Sequence, residues 1–253
     1  MQKLTIIGVV GKKIAVDAQE TFKKILFWVN VNEEIANPST GEVKPVITTV
    51  RVACYKRADR ADLFLKQLVP NATVLCTGVA QADLVVSKEK EFGCLSLDAR
   101  EVVVIAEAPL RGQYLNFEMV GNVGTVRVNA ADGNQSDSVC NFSLAHNEGK
   151  GDKAKTIWTN CAYWRPKDRC GVFPFITSGK KLFISGRPRV SLYRRGDGET
   201  GVSLECTVSQ LELLSASDRS SAGGMSSLEP ELPDPDPGIP TPPDFPESDE
   251  LPF

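Results

Sequence analysis

Histidine is almost missing from this chain of 253 residues, which carries one, His146. A triad built on an imidazole base, or a metal site of several histidines, therefore has little material. Cysteine is present seven times, an odd number, but never as a Cys-x-x-Cys pair. Most of the seven lie inside apolar runs and read as small buried side chains of a reducing compartment, neither disulfides nor zinc ligands. No apolar run approaches the ~20 residues that span a bilayer. Met1–Val10 has one lysine and a short apolar run, which suits a first β-strand better than a secretory signal. These absences lead us to expect a cytoplasmic protein without a membrane segment.

Basic residues are missing from one part only. Beyond Arg219 there is no lysine or arginine, while eight of the 32 acids fall there. The remainder, residues 1–219, holds all 29 basic side chains against 24 acids, so a mildly basic body carries an acidic appendage. Such a division lets each part address a different partner. Nine of the sixteen prolines also lie beyond Arg219 and no apolar periodicity survives there. Proline removes backbone donors and like charges repel, so residues 216–253 are expected to be a disordered, acidic, proline-rich tail.

What the body does have is an internal repeat. LTIIGVVG (4–11) matches LNFEMVGNVG (115–124), VRVACYKR (50–57) matches IWTNCAYW (157–164), and VLCTGV (74–79) matches LFISGR (182–187). The offsets are 111, 107 and 108 residues. Two domains of one ancestry follow, residues 1–107 and 115–215, joined by a linker at 108–114. Alternation places strands of the second repeat near 115–128, 138–147, 155–164, 180–195 and 201–214, with a short helix near 168–178 weakened by Gly171 and Pro174. In the first repeat Ala61, Phe64, Leu65 and Leu68 form a clear helical stripe. Three strands, a helix and two strands is the order of a five-stranded OB-fold barrel, although five short strands also suit a sandwich. The expected class is all-β, with two tandem OB-fold barrels and the tail.

On strand 157–164, Ile157, Cys161 and Tyr163 share one face, and Trp158, Asn160, Ala162 and Trp164 share the other. Further on, Leu182, Ile184, Val190 and Leu192 alternate with Arg187, Arg189, Tyr193 and Arg195. If both outward sets lie on one barrel face, two tryptophans and a tyrosine stand among arginines, with Arg194 beside them. An aromatic ring stacks on any base and arginine neutralises phosphate, so such a set suits single strands of little sequence preference. The competing reading makes Trp158 and Trp164 core aromatics and the arginines a solvated edge. In the first repeat Arg51 and Arg57 replace the two tryptophans, and Val79, Gln81 and Val85 replace Arg187, Arg189 and Tyr193. Tyr55 and Trp28 are the aromatics that alternation can turn outward there. That repeat is expected to hold phosphate weakly through Arg51, Lys56 and Arg57, or to be chiefly structural.

The second repeat resembles the DNA-binding domain of bacterial single-stranded DNA-binding proteins. MVGNVG (119–124) is similar to that family's first-strand signature, TIWTNCAYW (156–164) to its third strand, and ISGRPRVSLYRRGDG (184–198) to its fourth strand and hairpin. The terminal SDELPF (248–253) resembles the family's acidic tip. The resemblance implies binding of single-stranded DNA in replication, recombination and repair. It further implies a homodimer supplying four OB folds, and recruitment of replication and repair proteins through Asp249, Glu250, Leu251, Pro252 and Phe253. No enzyme is expected, because no nucleophile–base pair stands out, and neither is a metal or other cofactor. Gly149–Lys153 and Gly179–Lys181 lack the phosphate-cradling pattern of a Walker loop. The rival functions are an OB-fold protein-interaction scaffold and, more remotely, an OB-fold nuclease.

Overall fold

The computed structural model describes residues 1–36, 42–87, 90–129, 137–149 and 155–214; the tail from residue 216 and its tip, Asp249–Phe253, lie outside these. The first repeat folds as β1 (Gln2–Ala18), β2 (Phe22–Ala36), β3 (Val43–Arg57), α1 (Ala58–Gln67), β4 (Thr73–Ser87) and β5 (Lys90–Ala106). The second folds as β6 (Tyr114–Asn129), β7 (Asp137–Glu148), β8 (Lys155–Pro166), β9 (Lys181–Arg194) and β10 (Thr200–Leu213). Each set closes on itself in the order first, second, third, fifth, fourth, first. The third and fifth strands run parallel and every other neighbour antiparallel. This is the OB barrel, and closure removes the free sheet edges that a sandwich would leave.

Alternation explains why these segments are strands. On β1, Leu4, Ile6 and Val10 are buried while Lys3, Thr5 and Ile7 face outward. The repeat is preserved in the register: Cys54 pairs with Ala99 in the first barrel as Cys161 pairs with Cys206 in the second. The shared glycine has a steric reason. A Cβ on Gly78 would overlap the Asp98 carbonyl oxygen and stand 2.8 Å from the Ala99 Cα; one on Gly186 would overlap the Thr207 carbonyl oxygen and stand 2.9 Å from the Val208 Cα. Both glycines sit at a register shift where the fourth and fifth strands approach too closely for a side chain.

The element between the third and fourth strands differs between the barrels. In the first, α1 buries Ala61 and packs Phe64 and Leu65 against the core. In the second, the helix expected near 168–178 is replaced by two single 3-10 turns, Lys167–Arg169 and Phe173–Phe175. Pro174 lacks a backbone N–H and Gly171 favours the unfolded chain, so an α-helix does not propagate. Phe173 and Ile176 nevertheless reach the core, and Phe173 meets Tyr163 at 6.1 Å between ring centroids.

The barrels share one sheet. β1 pairs antiparallel with β6, from Gln2 opposite Met119 to Ile7 opposite Tyr114, so all ten strands form a continuous ladder. Thr73 anchors the connection from β5 to β6 by donating to the Ala108 carbonyl at 2.8 Å and accepting from the Leu110 N–H at 3.0 Å. The cysteines act as packing groups: all seven are unpaired and all but Cys170 are buried. Burial pushes the Cys54 thiol up to about 11 and that of Cys206 to about 12, away from thiolate chemistry.

Candidate nucleic-acid interface

The decisive question is which way the β8 aromatics point. Thr159, Cys161 and Tyr163 are buried, whereas Trp158 is 55% and Trp164 52% exposed. Folding leaves more than half of two of the largest apolar side chains in water, which excludes the core-aromatic alternative.

Trp158 and Tyr193 are each seated over a glycine. A Cβ at Gly124 on β6 would come within 2.8 Å of the Trp158 Cζ3 atom, and one at Gly201 on β10 within 2.8 Å of the Tyr193 Cε1 and Oη. The indole and phenol rings thus occupy the space that a missing side chain leaves on the neighbouring strand, which orders them without burying them. Leu192 departs from the expected alternation. It is 43% exposed instead of sharing the core with Leu182 and Ile184. β8 reaches β10 only from Leu204 onward and β6 reaches β9 only up to Gly186. Past Val190, β9 and β10 therefore run on as a two-stranded ribbon with no core beneath it.

A groove of about 840 Å³ passes these rings, with Gln81 and Asp83 of the first barrel on one wall and Trp158, Asn160 and Tyr193 of the second on the other. It meets a second groove, about 390 Å³, at Asn160 and Glu205; there Arg127, Asn141 and Arg189 line the way. It meets a third, about 300 Å³, at Gln81 and Asp83, where the first barrel presents Lys24, Arg51 and Tyr55. One band thus runs across both barrels.

Two arginines on this band are held by carboxylates. Arg189 donates to Glu205 through Nε at 3.1 Å and Nη2 at 2.7 Å, and the Ser191 hydroxyl donates to the same carboxylate at 2.5 Å. Burial alone would raise the Glu205 carboxyl, but the hydrogen bonds from Ser191 and Arg189 and the Arg189 charge outweigh it and hold the group below its ordinary value. Arg51 pairs with Asp83 in the same way. Each acid stands where two grooves meet.

The other expected residues are more scattered. Arg187 turns into the contact between barrels, pairing with Glu33 at 3.0 Å and donating to the Thr48 hydroxyl at 3.1 Å. Arg194 donates to the Gly198 carbonyl at 3.2 Å and Arg195 stands 3.7 Å from Glu199, both at the ribbon tip. Tyr55 is half exposed, edge-on to Phe22 and capped by Lys24 at 5.8 Å from its centroid. Lys56 lies over the Phe64 ring at 4.8 Å and Arg57 pairs with Asp59 at 3.3 Å, at the start of α1 and away from the grooves. Trp28 is half-buried beside Arg51 in the β2–β3 register. Sequence reasoning missed Lys24 and Arg127. Lys24 lies on the same side of β2 as Trp28, four residues away, and alternation from Trp28 finds it. Arg127 is hidden by the register shift between Val123 and Val126, which breaks the period of two. Among the described residues, no group of three or more His, Cys, Asp or Glu is placed to hold a metal.

Comparison with known proteins agrees with this geometry. Residues 115–214 match the profile of the single-strand binding protein family. The wild-type single-stranded DNA-binding protein from Thermus aquaticus superposes with a TM-score of 0.57 at 16% identity, covering 88% of this chain and 97% of the other. A deletion mutant of the same Thermus aquaticus protein gives 0.57 at 14% identity, covering 92% and 98%. At such identity the likeness concerns the fold, two barrels in one chain. No curated protein matches. The second barrel, residues 115–214, thus matches the single-strand binding protein family, within a chain whose fold is that of the two Thermus aquaticus structures.

Proposed function

We propose that this chain binds single-stranded DNA with little sequence preference and protects it during replication, recombination and repair. The observation that carries this reading is the half-exposed Trp158 and Tyr193 on an unbroken band of grooves lined by arginine and lysine, with Trp164 half-exposed on the same side of β8 as Trp158. Unpaired bases stack on Trp158, Trp164 and Tyr193, while phosphates exchange with the carboxylates on Arg189 and Arg51. The first barrel contributes charge and one exposed tyrosine, the second most of the stacking. In this division residues 1–107 and 115–215 act as two domains joined at 108–114. A titration with oligo-dT at several salt concentrations tests the electrostatic half. Log affinity is expected to fall linearly with log salt, with a slope of about −0.7 per phosphate neutralised; a flat dependence would contradict it. The nuclease alternative needs a carboxylate cluster, yet Asp83 and Glu205 on the band are separately engaged by arginines.

We further propose a homodimer of four barrels. Val103, Leu75, Ile7 and Tyr114 are paired in one row across β5, β4, β1 and β6. Val103 and Tyr114 are exposed, and this apolar row on the outer sheet face suits packing against a second copy. Partner proteins of replication and repair dock on the tip, Asp249–Phe253, and the cytoplasm is the compartment. Phe253 supplies an apolar ring, Pro252 stiffens the approach, Leu251 adds a second apolar contact, and Asp249 and Glu250 add negative charge. A pocket with a hydrophobic floor for the ring and a basic rim for Asp249 and Glu250 reads that segment. Deleting Phe253 alone barely changes the charge. It is expected to abolish pull-down of partner helicases or nucleases while leaving oligo-dT affinity unchanged; retained pull-down would reduce the tail to a solvated charge.

A further inference from the structure

The seam between the barrels holds a further cleft of about 450 Å³. It is lined by one aromatic ring from each barrel, Phe92 on β5 and Tyr193 on β9, together with Leu192, Lys90, Arg194, Thr200 and Glu91. Phe92 and Tyr193 are each 48% exposed, so both rings present apolar faces to water instead of to each other or the core.

The walls are fixed. The Thr200 hydroxyl donates to the Glu91 carboxylate, tying β10 to β5 next to Phe92. One residue further along, a Cβ on Gly93 would come within 2.7 Å of the Val190 Cγ1, so the barrels abut there through a missing side chain. Tyr193 is seated over Gly201 on its other flank. A cleft held in this way costs little ordering on binding. It also opens on the main groove, since Leu192 and Tyr193 line both.

We infer that this cleft is an additional stacking subsite for one unpaired nucleobase, between Phe92 and Tyr193, with Lys90 and Arg194 taking the flanking phosphates. The inference rests on the proposed single-strand binding. Two apolar rings suit the faces of any base, and two cations at the rim suit a polyanion more than an apolar peptide. The first barrel, which lacks aromatics at the β3 positions of Trp158 and Trp164, here supplies a stacking ring from β5.

The test compares oligo-dT binding by the full chain, Phe92→Ala and Phe92→Tyr, followed by tryptophan emission. Phe92→Ala is expected to weaken binding about tenfold, with an unchanged salt slope because no charge is lost, and with the same thermal midpoint. The quench at saturation should persist, since Trp158 and Trp164 remain. Phe92→Tyr should restore the affinity. Lys90→Ala should instead lower the salt slope by about 0.7. A Phe92→Ala affinity within twofold of wild type overturns the subsite, and so does a Phe92→Tyr protein as weak as Phe92→Ala. A wild-type chain that does not bind oligo-dT overturns the subsite together with the function beneath it.

Discussion

Replacing Trp158 or Trp164 by alanine is expected to weaken single-strand binding by about 1–3 kcal/mol each, the usual size of one stacking contact. Since 1.4 kcal/mol is a factor of ten, the double variant should lose about thirtyfold or more where the two bases are stacked independently. Both rings are more than half exposed, so neither change opens a cavity, and thermal stability should hold while affinity falls. That separation distinguishes a binding ring from a packing one. Arg51→Ala should cost less and act mainly on the salt slope, because Arg51 offers a phosphate contact and no ring. Isothermal or fluorescence titration of the variants checks the ranking. If Arg51→Ala proves more damaging than either tryptophan change, the main site belongs on the first barrel.

Gly186→Ala is expected to have the largest effect on stability of any glycine-to-alanine substitution in the β9–β10 hairpin. The added methyl meets the Thr207 carbonyl oxygen and the Val208 Cα, both backbone, so no side-chain rotation relieves the overlap. Overpacking of this kind costs about 1–3 kcal/mol and more where the backbone must move. For a body of this size each kcal/mol lowers the midpoint by about 2–4 °C, so a drop of the order of 10 °C is expected on thermal unfolding. Gly78→Ala should behave alike at the equivalent point of the first barrel, against the Asp98 carbonyl. Gly171→Ala is the control, because a Cβ there meets nothing within 4 Å; its midpoint should stay near wild type. Equal midpoints for Gly186→Ala and Gly171→Ala would refute the close-approach argument.

Much of this architecture could be read before any coordinates. Closed barrels of antiparallel strands keep one face buried throughout, so a period of two survives in β1, β6 and β8 and tells inward from outward residues. Trp158 and Trp164 were placed outward on that basis, although composition alone left the core alternative open. Leu192 was assigned to the core because alternation was carried past Val190, where the ribbon has no core to face. The second barrel's helix was expected from the first, but Pro174 and Gly171 leave only 3-10 turns. Arg187 meets Glu33 across 154 positions of sequence, a pairing that only the β1–β6 junction brings about. Phe92 is invisible for the same reason, since its partner Tyr193 belongs to the other barrel. Local periodicity carries faces, and only tertiary assembly carries what those faces meet.

The central claim, that outward aromatics of the second barrel stack on unpaired bases, is tested most directly by titrating the full chain with oligo-dT while following tryptophan emission, with duplex DNA as competitor. Strong quenching that saturates, persists under excess duplex and is lost in the Trp158→Ala, Trp164→Ala protein is the predicted result. Duplex that displaces oligo-dT at equal concentration, or binding of oligo-dT without any quench, would contradict it.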